Sequence, residues 1–259
     1  MSHHIVEARD LCHTFPDGTT ALDGVSFRIT HGESVAIIGD NGAGKSTLLL
    51  HLNGCLSATS GEIWIGDTHL TAGTLPDIRR TVGMVFQDPD DQLFMPTVFD
   101  DVAFGPCNLG LSGVDVEQRV MDALSRVGAG HLRGKPPYNL SGGEKKRVAI
   151  ATVLSMEPDI LVMDEPTSGL DPFARRQLIS LIKDFRHTRI ITSHDLDMVY
   201  EVCERTIVLN RGIVAADGPT RDVFRDTDLL KECRLEKPLS LQGCFECSKS
   251  EHMSICSEE

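Results

Sequence analysis

The stretch GDNGAGKST, Gly39–Thr47, decides the fold of this 259-residue chain. It matches G-x-x-x-x-G-K-[ST], follows the apolar run Ser34–Gly39, which predicts a buried strand, and opens Lys45–Leu52, which predicts a helix. Glycines in such a turn let backbone N–H groups surround phosphate oxygens, and the helix N-terminus adds partial positive charge. The predicted nucleotide-binding residues of this loop are Gly39, Asp40, Asn41, Gly42, Ala43, Gly44, Lys45, Ser46 and Thr47.

Two side chains of this loop have expected chemical roles. Lys45 supplies a cation for the β- and γ-phosphates, and the Ser46 hydroxyl binds Mg²⁺. The alternative is a glycine-rich turn that binds nothing. That alternative gives no reason for a lysine and a serine at the two positions where a phosphate loop needs them.

A second stretch, ILVMDEP (Ile160–Pro166), places two carboxylates at the end of an apolar strand. Strand ends lie at the ligand-binding edge of a parallel sheet. Asp164 is therefore expected to hold Mg²⁺ through water, and Glu165 to act as general base toward the attacking water. The alternative is an acidic pair at an ordinary strand-end turn.

Apolar runs alternate with helix-length segments along most of the chain, which predicts an α/β fold with a mostly parallel sheet. The first forty residues instead show the alternation of antiparallel strands, and a segment of about 90–156 is rich in predicted helix and has no convincing strand. We expect a domain over residues 1–225 with this segment as a helical insert, and a tail over residues 226–259. Further predicted strands are Val82–Phe86, Asp159–Asp164, Arg189–Ser193 and Arg205–Asn210, and further predicted helices are Pro172–Phe185 and Leu196–Val202.

The chain is acidic, with a formal net charge of −13. Such a charge repels phosphate backbones, so no nucleic-acid partner is expected. No apolar run reaches the roughly 18 to 20 residues of a membrane-spanning helix, and the N-terminus lacks a signal-peptide pattern. These features predict a cytosolic protein, with cysteines that are reduced or metal-bound.

The end of the chain, GCFECSKSEHMSIC (Gly243–Cys256), has the spacing C-x₂-C-x₄-H-x₃-C. Three thiolates and an imidazole form a standard structural zinc set, and a flexible tail could also wrap another soft ion. The candidate tail metal ligands are Cys244, Cys247, His252 and Cys256. The alternative is a reduced, cysteine-containing end that binds no metal.

The stretch LSGGEKKRVAIA (Leu140–Ala151) resembles the signature of ATP-binding-cassette (ABC) ATPases, and the other marks of that family follow in order. The resemblance implies a P-loop NTPase, RecA-like core with a parallel sheet, an N-terminal antiparallel β subdomain and an inserted helical subdomain. It implies ATP as substrate and Mg²⁺ as cofactor, held by Ser46, Gln87 and Asp164. The implied roles are Glu165, His194 (in TSHD) and Gln87 (in VFQDPD) in catalysis, Phe15 in adenine stacking, and Asp171 in the D-loop (Ser168–Asp171).

In this family the signature acts on the opposite subunit, so the resemblance implies a head-to-tail dimer, here a homodimer, that encloses two ATP molecules. The signature residues are Ser141, Gly142, Gly143 and Glu144. Glu144 departs from the usual Gln, and because an inward acid would oppose a phosphate we expect it to face away, toward Lys145 or Arg147. Phe15 replaces the frequent Tyr and keeps the π-face needed for stacking.

The stretch Val82–Leu111 resembles the ATPase subunits of energy-coupling-factor importers, and Asn139–Pro172 with His194–Gly212 looks closest to their cobalt/nickel branch. The implied partners are integral membrane coupling and substrate-binding subunits, with the chain at the cytoplasmic face of the membrane. Leu93, Phe94 and Met95 either anchor a coupling helix or are buried within the insert. The alternatives are a vitamin importer, a soluble non-transport ABC ATPase, and a metal-binding regulator in which the tail is primary.

Overall fold

The computed structural model describes residues 4–242 of the chain. The four candidate metal ligands of the tail, Cys244, Cys247, His252 and Cys256, lie outside the described residues. Within residues 4–242, no helix combines the length and the apolar character needed to cross a bilayer.

The first sheet is antiparallel and contains the start of the chain, as its alternating pattern predicts. Its strands lie in the order β2-β1-β4-β5, and β1 pairs with both β2 and β4. The hairpin of β4 and β5 was not predicted from the sequence. The bounds are β1 His4–Thr14, β2 Thr20–Thr30, β4 Ser60–Ile65 and β5 Thr68–His69.

The second sheet has six strands in the order β10-β9-β3-β8-β7-β6. Its five strands from β9 to β6 are parallel, which confirms the predicted parallel sheet, while β10 adds an antiparallel edge that was not predicted. The bounds are β3 Ser34–Ile38, β6 Val82–Val85, β7 Ile160–Asp164, β8 Thr188–Thr192, β9 Arg205–Asn210 and β10 Ile213–Pro219.

Both faces of the parallel sheet are covered, which explains why its strands are continuous apolar runs. Along β3, Val35 and Ile37 join a core with the antiparallel sheet, whereas Ala36 and Ile38 join a core with the helices of the second half. Successive strand residues point to opposite faces, so one short strand contributes to both cores. The helices of the nucleotide-binding half are α1 Lys45–Leu52 and α2 Leu75–Thr81.

The predicted helical segment of about 90–156 contains three α-helices and, in the structure, no strand. These helices are α3 Val98–Asn108, α4 Gly113–Arg126 and α5 Gly142–Leu154. Ser112 and Ser141 cap α4 and α5 by accepting from the backbone N–H of Asp115 and Glu144. The apolar faces of the three helices share one core with β7 and β8.

The first part of the predicted tail is folded. The remaining helices are α6 Pro172–Asp184, α7 Leu196–Val202, α8 Thr220–Val223 and α9 Thr227–Glu232. Leu230 and Cys233 are each only 2% exposed and belong to the same core as α6 and α7. Further along, the backbone N–H groups of Leu239 and Ser240 donate to Asp197. The core therefore continues past residue 225, where the sequence predicted the domain to end.

Candidate active site

Three adjacent parallel strands, β3, β8 and β7, end at the same edge of the sheet and place the predicted site residues there. The phosphate loop follows β3, His194 follows β8, and Asp164 and Glu165 stand at the end of β7. Residues more than one hundred positions apart in the sequence thereby become neighbours. This is the edge at which open α/β sheets bind ligands.

The loop between β3 and α1 needs glycine for two physical reasons. Gly44 has a left-handed φ of +100°, and a Cβ there would collide with the backbone carbonyl of Ala21. A Cβ on Gly39 would collide with the carbonyl of Leu209. The loop therefore packs tightly against β2 of the antiparallel sheet and β9 of the parallel sheet, and it leads into the N-terminus of α1, which is the arrangement that holds phosphate.

Lys45 lies inside this loop and is only 8% exposed. Its ammonium donates to the carbonyl oxygens of Gly39 at 2.9 Å and Asp40 at 3.1 Å. Burial lowers the pKa of Lys45, while the carboxylates of Glu165 and Asp164 oppose that shift. The cation is thus held in the loop by its own backbone, at the position expected for binding terminal phosphates.

Thr192 of β8 holds the end of β7 at both acidic residues, through the side chain of Asp164 and the backbone of Glu165. The Thr192 hydroxyl donates to Asp164 Oδ1 at 2.5 Å, and the Glu165 N–H donates to the Thr192 carbonyl at 3.1 Å. Glu165 has a left-handed φ of +44°, a conformation that costs a non-glycine residue about 1–3 kcal/mol. Because this turn separates the two acids, Asp164 and Glu165 face different parts of the site although they are adjacent in sequence.

One oxygen of Glu165 has no donor. Its Oε2 accepts from the His194 backbone N–H at 3.0 Å, whereas Oε1 is buried and accepts no hydrogen bond from any of residues 4–242. His194 Nε2 lies 3.5 Å from both Glu165 Oε1 and Lys45 Nζ. An ammonium can only donate, so in a hydrogen bond with Lys45 the Nε2 atom would be the acceptor. A buried carboxylate oxygen without a donor is suited to receive a proton from a bound water.

A cleft of about 610 Å³ lies beside the loop. Ser46, Gln87 and Asp164, the three predicted Mg²⁺ ligands, all line it. A hydroxyl, an amide oxygen and a carboxylate are the oxygen donors that a hard divalent cation requires. The donor set therefore fits Mg²⁺.

Phe15, the predicted adenine-stacking residue, is half-buried at the end of β1, with its ring edge-on to His13 at 4.7 Å. His13 in turn lies 3.2 Å from the ring of His51, whose Nδ1 is 2.7 Å from the carbonyl oxygen of Thr47 in α1. Burial lowers the pKa of His51, with His13 adding to the shift. A pair of buried histidines therefore links the phosphate-loop helix to the end of β1, next to Phe15, and no sequence pattern predicts this contact.

The signature begins α5 at an open helix N-terminus, where Ser141 and Gly142 are exposed. The expected partner of Glu144 was wrong: Glu144 turns back onto Ser141, accepting from its N–H at 2.8 Å and from its hydroxyl at 2.9 Å. These contacts hold the pKa of Glu144 below its usual value. Lys145 instead binds Asp90. In the D-loop, Asp171 caps α6 by accepting from the N–H groups of its first turn.

Two residues that the sequence analysis missed attach the segment from Phe86 to Gln92, called the Gln87 segment, to α5. Lys146 is only 2% exposed and donates to the Gln87 carbonyl at 2.6 Å. Gln92 accepts from the Phe86 N–H at 3.2 Å and donates to the Ala149 carbonyl at 2.8 Å. The signature helix and the Gln87 segment are therefore joined. The sequence signal for this connection was Lys146, a lysine at a position of α5 that faces the core.

A family model for ABC transporters matches residues 22–168, which is more than half of the chain and includes the phosphate loop, the signature and the two carboxylates. The chain belongs to the ABC transporter ATPases. It is an ATP-binding cassette whose ATPase activity is coupled to transport.

Curated relatives cover nearly the whole cassette. A putative ABC transporter ATP-binding protein of Geobacter sulfurreducens is 72% identical over 249 residues, covering 96% of this chain and 100% of the relative. The energy-coupling factor transporter ATP-binding protein EcfA1 of Methanospirillum hungatei is 48% identical over 240 residues, covering 91% of this chain and 87% of the relative.

Two solved structures share the fold. CbiO1 of Clostridium perfringens, part of the ABC transporter complex CbiONQ, has a TM-score of 0.79 and 38% identity, with 98% of this chain and 100% of that chain covered. The cassette MJ0796, in a dimeric post-hydrolysis state with ADP and phosphate, has a TM-score of 0.76 and 29% identity, with 83% and 99% covered.

Replacing the buried cation between α5 and the Gln87 segment tests their connection. In Lys146→Met the Gln87 carbonyl loses its donor, and we expect kcat for ATP hydrolysis to fall about tenfold, a loss of ~1.4 kcal/mol of transition-state stabilisation. Urea unfolding should show a loss of about 1–3 kcal/mol. The control is Lys145→Met, which removes a surface ion pair and should change stability by less than about 1 kcal/mol. A wild-type rate in folded Lys146→Met would contradict the connection.

Replacing the acid of the signature tests its electrostatic effect. Glu144→Gln keeps an acceptor for the Ser141 N–H and removes a negative charge beside the helix N-terminus. We expect the ATP concentration for half-maximal dimerisation, measured by sedimentation, to fall about fivefold, which corresponds to ~1 kcal/mol of relieved repulsion. The same ATP requirement in both proteins, or a higher one in the variant, would show that Glu144 does not oppose nucleotide.

Proposed function

We propose that the chain is the ATP-hydrolysing subunit of an energy-coupling-factor-type importer that drives uptake of a transition-metal ion, cobalt or nickel. The observation that carries the metal assignment is the resemblance of Asn139–Pro172 and His194–Gly212 to the cobalt/nickel branch. The similarity to CbiO1, part of an ABC transporter complex, supports the transport role over 98% of this chain. The similarity to EcfA1 supports the energy-coupling-factor class and leaves a vitamin as the alternative cargo.

Hydrolysis in this proposal uses the arrangement at the ends of β7 and β8. Glu165 accepts the proton of the attacking water on Oε1, the oxygen without a donor. His194 orients Glu165 through its backbone N–H and faces the terminal phosphate beside Lys45. Mg²⁺, held by Ser46, Gln87 and Asp164, supplies positive charge against the phosphate oxygens when it is bound.

The active unit in this proposal is a homodimer. Each subunit places its open signature helix, Ser141–Glu144, against the ATP bound by the other, and Phe15 stacks on the adenine. The exposure of Ser141 and Gly142 supports this role, because an exposed helix N-terminus can present backbone N–H groups and partial positive charge to an anion of another subunit. The dimeric state of MJ0796 supports the same arrangement.

A docking surface for the membrane subunit lies beside Gln87. The two interpretations of this apolar stretch each hold in part: Leu93 is buried, whereas Phe94 is 65% exposed. Phe94 stacks edge-on with Phe104, itself 45% exposed, at 5.1 Å. Asp101 fixes the loop by accepting from the N–H groups of Phe94 and Met95, both at 3.0 Å. An exposed aromatic pair on a rigid loop supports docking of an apolar helix, with the cassette at the cytoplasmic face of the membrane.

Helix α5 would connect movement of this docking surface to nucleotide binding. Lys146 and Gln92 join α5 to the Gln87 segment, and the docking loop continues directly from that segment. Closure of the signature on ATP would therefore shift Phe94 together with α5. The bound coupling helix would move with it, and hydrolysis would reset the position.

Metal uptake by cells tests this function. With the membrane partners present, we expect ATP-dependent cobalt or nickel uptake with the wild-type chain and a loss of at least about tenfold with Phe94→Asp, because a charge in the apolar contact opposes docking. Basal ATPase activity of purified Phe94→Asp should stay near wild type.

The control for this test is Val114→Asp, which places the same charge on another exposed apolar residue, 80% accessible at the start of α4. It should leave uptake intact. If uptake of both metals is independent of the chain while uptake of a vitamin depends on it, the cargo assignment is wrong. If Phe94→Asp transports normally, the docking surface is wrong.

Dilution tests the dimer. Because each site is completed by the partner's signature, the ATPase rate per milligram should fall roughly in proportion to protein concentration once that concentration is below the dissociation constant. A specific rate that stays constant while sedimentation shows monomer would contradict the shared site.

A further inference from the structure

A second cleft, of about 680 Å³, lies away from the phosphate loop. It is formed by the end of α4, the middle of α5 and the exposed side of α6. None of the residues that line it belongs to the phosphate loop, the Gln87 segment or the acidic end of β7. Three arginines, Arg126, Arg147 and Arg176, contribute to the lining, one from each helix.

Arg147 is the innermost of these arginines. Its Nε is buried and donates no hydrogen bond to any of residues 4–242, and no carboxylate within that range forms an ion pair with it. Guanidinium has five donors and no acceptor, and leaving a buried N–H without a partner is unfavourable. Arg147 also lines the cleft, so an anion that enters it would meet this guanidinium.

The other two arginines extend the same charge to the cleft mouth. Arg126 forms no ion pair with the described residues. Arg176 uses one terminal nitrogen on Glu201, at 2.7 and 2.9 Å, which leaves its other nitrogens free to donate. Among residues 4–242, Asp184 is the only carboxylate that lines the cleft, while Glu201 pairs with Arg176 from outside the lining. In a chain with a net charge of −13, the lining itself therefore carries three arginines and one acid.

Neutral groups complete the lining. Ser125 and Gln177 offer hydrogen-bond donors, whereas the Ser180 hydroxyl donates to the Arg176 carbonyl at 3.2 Å. Phe173, which is 73% exposed, forms an apolar wall. Arginine binds planar carboxylates and phosphates through paired N–H groups. The cleft is wide enough for several such groups at once.

We propose that this cleft is a binding site for a small multivalent anion that carries phosphate or carboxylate groups. Such a ligand would join Arg126 of α4 and Arg147 of α5 to Arg176 of α6. It would therefore link the predicted helical insert to the core helix that follows the D-loop. Its occupancy would restrain the movement of α5 that the proposed coupling requires, but the binding itself does not depend on what the importer carries.

Calorimetric titration tests the proposal with two probes, inorganic pyrophosphate and citrate. At least one should bind to the wild-type chain, and binding to Arg126→Ser/Arg176→Ser should be at least about tenfold weaker because charge-assisted contacts are lost. The control is Arg186→Ser, an exposed arginine outside the cleft, which should bind as wild type. Binding of pyrophosphate alone assigns a phosphate ligand, and binding of citrate alone assigns a carboxylate ligand.

A third variant, Lys45→Ala, separates the cleft from the phosphate loop. Binding that persists in Lys45→Ala and weakens in the arginine pair supports the cleft. Binding that is lost in Lys45→Ala and unchanged in the arginine pair belongs to the phosphate loop and overturns the proposal. The absence of binding of either probe to folded wild-type protein at millimolar concentration also overturns it. Circular dichroism of each variant confirms that it is folded.

Discussion

The hydroxyl of Thr192 and its backbone carbonyl hold the ends of two adjacent strands together, and the rest of the site depends on this contact. The hydroxyl donates to Asp164, and the carbonyl accepts from the Glu165 N–H. The hydrogen bond to the carbonyl maintains the left-handed turn at Glu165, so one acid faces the cation cleft and the other faces His194. Without that turn, two successive strand residues would point to opposite faces of the sheet, and Glu165 would not lie beside His194.

The signature helix and the Gln87 segment are the next level of organisation, and their connection is polar and buried. Lys146 carries a charge into a site where its exposed fraction is 2%, and burial lowers its pKa. The carboxylates of Asp164, Asp88 and Glu165 oppose that shift. The cation that joins α5 to Gln87 is therefore also stabilised by the acids of the active site. A change of charge at those acids, such as binding of a divalent cation, would alter the electrostatic environment of the link.

Local patterns were enough to predict the parallel sheet, the phosphate loop and the order of the site residues. The apolar runs of β3, β7 and β9 have no polar alternation because both faces of these strands are covered. The residues that follow β3 and end β7 form motifs that can be recognised in the sequence. The edge strands β5 and β10 were missed, because a two-residue strand and an edge with alternating exposure have no comparable pattern. The core residues after position 225 were missed because a short helix such as α9 buries few side chains, here Leu230.

Long-range polar contacts could not be predicted either. The pairing of His13 with His51, the link from Lys146 to Gln87 and the cleft around Arg147 each join residues through the tertiary fold. A sequence shows that such side chains are present but not which carbonyl or ring they meet. The predicted partner of Glu144 was wrong for a different reason. The local hydrogen bonds of a capping box with Ser141 hold Glu144 in place of an ion pair with Lys145 or Arg147.

That capping box has a consequence for the ATP cycle. The Ser141 hydroxyl has one proton, which it donates to Glu144. In the proposed homodimer, a phosphate from the opposite subunit would need the same donor, so its binding would exchange one charge-assisted hydrogen bond for another of similar strength. The N–H groups and the partial positive charge of the helix N-terminus would attract this anion as well. The signature would thus stay capped between cycles, and ATP would replace the cap with an intersubunit contact.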